Sequence, residues 1–183
     1  AEALASFQIS STIIDLFFIA FIGMASACAV MIGNTIGAGE EETAFSYSRM
    51  FLRINAVLSV LLGLAVAAAA GPITQLYQVS ETVKSHTETI LYIFAAFIIM
   101  RSTNLQIIIG IFRSGGDTTA GLLLDMGGVW GIALPLGALT AFVLKLSVPI
   151  VFFALSLEEL IKMFFALHRF YSRRWIQNLT YEE

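Results

Sequence analysis

The sequence predicts an all-α membrane protein of five transmembrane helices, and three observations carry that prediction. Hydrophobic residues make up 58% of the 183 positions and charged residues only 13%, against about 25% charged in an average soluble domain. The mean hydropathy is +0.85. The apolar residues gather in five long runs, each near the roughly 20 residues that a bilayer-crossing helix requires. Runs this long are not strands, and no useful period-two alternation occurs. A soluble fold of this size has too little interior for so much apolar surface.

The first span is expected over residues 7–32. It holds Asp15 and the small residues Gly23, Ala25, Ser26 and Ala27, which suit close helix packing. The second covers 46–70 and ends at Gly71-Pro72, a pair that stops helices. A polar link from Pro72 to Thr89 follows. The third span, 90–112, carries Arg101 near its middle, then Ser102, Thr103, Asn104 and Gln106. The fourth, 119–142, has Asp125 about two turns inside it and Pro135 further on. The fifth, 149–167, has Glu158, Glu159 and Lys162 near its middle. Helices joined by short links are antiparallel neighbours.

Positive charge orients the chain. Arg49, Arg53, Arg113, Arg169, Arg173 and Arg174 fall at one set of helix ends, and only Lys84 and Lys145 at the other. This bias places the first and third links and the C-terminal tail in the cytoplasm. The first span then starts outside. With no targeting signal before it, a preceding helix, and so a longer protein, is expected. The segment His168–Trp175, basic with aromatics, reads as an interfacial anchor. Net charge is -3 with no basic run, so nucleic acid is not an expected partner.

The two cytoplasmic links share a design. One runs Gly33-Asn34-Thr35-Ile36-Gly37-Ala38-Gly39-Glu40, and the other Gly110-Ile111-Phe112-Arg113-Ser114-Gly115-Gly116-Asp117-Thr118. Each puts glycines and an acid before a Thr-Ala that opens a helix. Arg113 suits a helix C-terminus, and Asp117 or Thr118 can cap the next helix. The first link is not a phosphate loop, because it lacks the Gly-Lys-Ser/Thr ending and follows a helix rather than a strand. The second lacks the Gly-x-Gly-Asp of intramembrane aspartyl proteases, since position 114 is Ser. No zinc or serine-hydrolase motif occurs, no metal set is indicated, and the lone Cys28 reads as a small core residue.

The ionisable residues inside the spans carry the functional signal, because each costs about 2.5–3.5 kcal/mol at a helix centre without a partner. The candidate pathway residues are Arg101, Asn104, Asp125 and Glu158. Glu158 and Lys162 share a helix face and can pair. By depth, Glu158 is the expected partner of Arg101, and the two with Asn104 are expected to line one cavity. Purely structural pairing between helices accounts for the same residues about equally well.

The two loops together, at this spacing, resemble the C-terminal half of a multidrug and toxic compound extrusion (MATE) transporter. Gly33, Gly37 and Gly39 with Ala44 are similar to that family's Gly-Gln-x-Leu-Gly-Ala-Gly…Ala loop, with Asn34 in place of the usual Gln. Gly110, Arg113, Gly115, Gly116, Asp117 and Thr118 are similar to its Gly-Ile-Leu-Arg-Gly-x-Gly-Asp-Thr loop. The resemblance covers nearly all of residues 1–183. It implies a twelve-helix transporter of two six-helix lobes, of which this chain carries helices eight to twelve as most of one lobe. It further implies efflux of organic, often cationic, compounds by antiport with Na⁺ or H⁺ through alternating access, with no other cofactor. The implied partners are membrane lipid, the small-molecule substrate and the missing N-terminal lobe. The implied setting is a bacterial inner membrane. A lipid-linked oligosaccharide flippase of the same superfamily is the alternative. An intramembrane enzyme is less favoured, because Asp125 and Glu158 are not expected to meet.

Overall fold

The computed structural model describes residues 2–177; residue 1 and residues 178–183 of the expected lobe lie outside them. Five long helices form among the described residues. They are α1 (Glu2–Gly37), α2 (Glu41–Gln75), α3 (Glu81–Phe112), α4 (Thr118–Val143) and α5 (Val148–Tyr171). The first four are long and apolar enough to cross a bilayer. The fifth has 24 residues, with Glu158, Glu159 and Lys162 in its middle. The chain is an all-α, multi-pass membrane protein.

The helices outrun the apolar runs at both ends. At 36 residues, α1 is about 54 Å long, against a hydrocarbon core of about 30 Å. Two expectations need correction here. Pro72 lies inside α2, in its last turn, and the helix continues to Gln75. Its missing N–H and its ring act on the turn before it, at the Ala68 carbonyl, and cost that one bond without ending the helix. The expected polar link to Thr89 is mostly helix as well. Ser80 caps α3, its hydroxyl accepting from the Val83 N–H at 3.4 Å, and the polar residues from Glu81 form two helical turns ahead of the apolar part.

Two helices are locally widened. The last seven residues of α3, Gln106–Phe112, are π-helical, as are Val129–Ala133 and Leu139–Val143 in α4. The two wide stretches of α4 lie either side of Pro135, which already interrupts the hydrogen-bond ladder.

Packing is layered along the helix axes. One apolar cluster, including Cys28, Ile32, Phe45, Ile111, Phe170 and Trp175, fills the end that holds both glycine loops. Another, including Ile14, Phe21, Val66, Ile90 and Phe94, fills the opposite end. Between them lies a layer of buried polar side chains: Asn55, Ser59, Ser102, Asn104, Gln106 and Glu158.

Both glycine loops close in the same way. Gly39 (φ 79°) and Gly116 (φ 90°) take the left-handed conformation, which glycine adopts without a Cβ penalty. The N–H after each reaches back across the turn, Glu40 to the Thr35 carbonyl at 3.0 Å and Asp117 to the Phe112 carbonyl at 2.9 Å. With the Gly39 N–H on the Ile36 carbonyl at 2.9 Å, the first is a complete Schellman closure; both bonds satisfy carbonyls otherwise left free at a helix end.

Candidate functional site

A cavity of about 220 Å³ lies where α1, α3, α4 and α5 meet in the polar layer. Phe18, Arg101, Asn104, Asp125, Glu159 and Lys162 line it, with Leu105, Ile108 and Ile109. Two more cavities adjoin it. One of about 430 Å³ shares Ile108, Ile109 and Asp125 and extends to Arg113 and Thr118 at the second glycine loop. The other, of about 190 Å³, shares Arg101 and Glu159 and adds Phe94, Phe97 and Glu158. The three form a series that leads from the loop end toward mid-span.

Lys162 is the hub. Its Nζ lies 2.9 Å from Glu158 Oε1, 3.3 Å from Asp125 Oδ1 and 3.6 Å from Glu159 Oε2. An ammonium has three protons to donate, and here three carboxylates on two helices surround it. Its side chain and that of Glu158 are about 10% and 9% exposed, whereas Asp125 is 46% exposed. Glu158 fits tightly against α4 because position 128 is glycine; a Cβ there would run into its carboxylate.

Asn104 joins α3 to α5. Its Nδ2 donates to the Glu159 carbonyl at 2.8 Å and to Glu159 Oε2 at 2.8 Å. Facing two acceptors, this end of the amide must be the NH₂, which leaves Oδ1 buried without a partner.

The expected pathway residues are therefore only partly gathered. Arg101, Asn104 and Asp125 share one cavity, and Glu158 lines the next. Arg101 does not pair with Glu158. Its guanidinium lies 5.1 Å from the Phe18 ring centroid, and among the described residues no carboxylate is within ion-pair distance of it. Lys162 is one turn from Glu158 on the same helix and takes that acid. Asp125 and Glu158, expected to stay apart, are bridged by Lys162. Glu159 and Lys162 were not among the expected pathway residues, although their mid-span charge was visible in the sequence.

The motif glycines divide by role. Gly110 is pressed against α1, and a Cβ there would lie 3.2 Å from the Ala25 carbonyl oxygen. A Cβ on Gly115 would lie 2.5 Å from Trp175. Gly33 has ordinary room beside Ser114, and Gly37 has open space. Asp117 does not cap α4 with its side chain. It is 4% exposed and accepts from Arg169 Nε at 2.8 Å. The tail expected to anchor at the interface also packs on the loops. Trp175 is fully buried, stacks on Phe170 and donates to the Phe170 carbonyl at 3.0 Å. The Gln177 N–H reaches the Gly115 carbonyl at 2.8 Å. Arg173 pairs with Glu42 and lies over the Phe45 ring. Arg113 is exposed and lines the cavity at the loop end.

Comparison with known proteins gives a consistent result. The family model for MatE matches residues 1–139. The chain is 25% identical over 126 residues to multidrug and toxin extrusion protein 2 of Mus musculus, covering 69% of this chain and 22% of the relative. It is 23% identical over 141 residues to multidrug and toxin extrusion protein 1 of Danio rerio, covering 75% and 24%. It is 28% identical over 138 residues to a probable multidrug resistance protein NorM of Rhodopseudomonas palustris, covering 73% and 29%. The chain thus spans about a quarter of the length of the curated relatives it matches.

Proposed function

Since this chain belongs to the MatE family, we propose that it forms one wall of the translocation pathway of a secondary-active exporter. The substrate class is small organic compounds, often cationic, and export is driven by antiport with Na⁺ or H⁺ through alternating access. The observation that carries this reading is the charged cavity at mid-span. Apolar helices do not retain five charged side chains at one depth without a use or a partner for each. Asp125, at the junction of two cavities and half-exposed, is the group most accessible to an entering cation. The wall facing this one comes from a second lobe, so the chain alone is inactive in this reading. The names of the relatives support export of drugs and toxins, and transport rather than catalysis.

Charge argues against a lipid-linked oligosaccharide flippase. Such a protein needs several basic groups free to meet an anionic headgroup; here Lys162 is surrounded by acids, and among the described residues Arg101 is the mid-span cation left without one, in a cluster where acids outnumber bases.

The test is dye efflux from liposomes holding the full-length protein, under imposed Na⁺ or H⁺ gradients. Efflux under one gradient is expected, with Asp125→Asn abolishing it in protein that still folds. Absence of efflux under either gradient, for all cationic dyes tried, overturns the reading. We further infer that the glycine loops and the C-terminus face the cytoplasm of a bacterial cell, from the arginine asymmetry. In a Cys28→Ala background, a cysteine at Ser85 is expected to react with an impermeant thiol reagent added outside, and one at Ser114 to be shielded. Labelling at Ser114 alone reverses the orientation.

A further inference from the structure

We propose that the ammonium of Lys162 is a tethered stand-in for the monovalent cation that this cavity binds, and that ligand and lysine compete for the same acids. The inference deepens the transport reading above and rests on it, but its test does not require transport.

The geometry separates the three carboxylates into two kinds. Glu158 lies one turn from Lys162 on the same helix, at 2.9 Å, with its side chain only 9% exposed and packed on Gly128. Asp125 and Glu159 stand further off, at 3.3 and 3.6 Å, and both line the main cavity. Lys162 can therefore withdraw to Glu158 without leaving its helix. Doing so uncovers two carboxylate groups facing one cavity.

Charge fixes how many ligands the site takes. Asp125, Glu158 and Glu159 against Lys162 and Arg101 leave one negative charge in excess. One monovalent cation balances it. Asn104 lines the same cavity, is 2% exposed, and has its Oδ1 buried without a partner, so it can supply a neutral acceptor. An amide oxygen and carboxylates suit an alkali cation or a protonated amine equally well. The excess of acids favours a cation over an anion, although among the described residues the Arg101 guanidinium has no carboxylate at ion-pair distance.

The decisive variant keeps the net charge constant. Glu158→Gln with Lys162→Met removes one charge of each sign and deletes the tether. Binding of ²²Na⁺ and of ¹⁴C-methylammonium would be measured on the full-length protein in detergent, with gel filtration to confirm folding. The double variant is expected to bind at least one of the two about tenfold more tightly than wild type. Tightening for Na⁺ alone identifies an inorganic-ion site, and for methylammonium alone an amine site. Unchanged or weaker binding of both overturns the proposal. Should the double variant not fold, Glu158→Gln alone provides the opposite arm. It frees Lys162 for Asp125 and Glu159, and binding of both probes should weaken about tenfold; no weakening overturns the proposal. Because binding is read without a gradient, a failed efflux assay and a failed binding result remain distinct.

Discussion

Two polar groups meet on α3 at the same level, and they differ in charge and in the open space beside them. On one side, Ser102 and Thr103 face α2. Asn55 Nδ2 donates to Ser102 Oγ at 3.1 Å and to Thr103 Oγ1 at 3.3 Å, and Ser59 Oγ lies 2.7 Å from Ser102 Oγ. On the other side, Asn104 reaches α5 and Arg101 reaches α1. Ser102 and Asn104 are two residues apart, and so about 200° apart around the helix. The α2 group is neutral, and Asn55, Ser59 and Ser102 are fully buried. The α5 group is charged, unbalanced by one unit, and borders three cavities. Each group leaves one amide oxygen without a partner, Asn55 Oδ1 and Asn104 Oδ1. Of the two residues, Asn104 lines a cavity and Asn55 lines none of the three. Burial and polarity alone therefore do not mark a pathway residue. On the proposed reading, net charge with open space beside it does.

The sharpest way to break this contrast is Glu159→Gln. The amide can still accept from Asn104, so the α3–α5 contact is kept while the charge is lost. The initial rate of gradient-driven efflux is expected to fall by about tenfold or more, about 1.4 kcal/mol in barrier terms. Melting of the purified protein should move little. A large loss of melting temperature with normal efflux per folded molecule would place Glu159 with the structural group instead.

Much of this was readable from the sequence, for a physical reason. A bilayer imposes length and apolarity on each crossing segment, so five apolar runs give five helices. The loops were readable because a left-handed turn position strongly favours glycine, as at Gly39 and Gly116. The ends of the helices were not, since Glu81–Glu88 leaves the apolar pattern while remaining helical under the Ser80 cap. The choice between Glu158 and Glu159 was also hidden. Adjacent residues differ by about 100° around a helix, and depth along the axis does not say which one faces α3. That depends on how α5 rolls against α3 and α4, and on the widened turns that redirect α4. The docking of Trp175 on Gly115 was hidden too, because a basic aromatic tail has the composition of a membrane anchor whether or not it folds back.

The neutral group should respond in the opposite sense to Glu159. Asn55→Ala removes two hydrogen bonds between α2 and α3 and leaves a small void. A loss of about 1–2 kcal/mol is expected, seen as a lower melting temperature in detergent, with efflux per folded molecule within about twofold of wild type. Efflux abolished in well-folded Asn55→Ala protein would make the α2 side part of the pathway and remove the contrast.

The smallest effect is expected at Ser59, and it tests how the neutral group is wired. Ser59 Oγ can donate to the Asn55 carbonyl at 2.6 Å, and in its 2.7 Å contact with Ser102 either hydroxyl can be the donor. Ser102 has a second outlet for its proton, the Ile99 carbonyl at 3.2 Å, and it accepts from Asn55 on its other side. Ser59→Ala therefore strands no buried donor. The Asn55 carbonyl keeps its place in the helix ladder, and alanine is the better helix former. The expected cost is about 0.6 kcal/mol or less, the average for a polar contact between membrane helices. In an Asn55→Ala background the same change should cost no more. A cost at Ser59 matching that at Asn55 would mean that Ser102 depends on Ser59 alone. The neutral group would then be a serial chain of hydrogen bonds, and cutting it at any point would release α2 from α3.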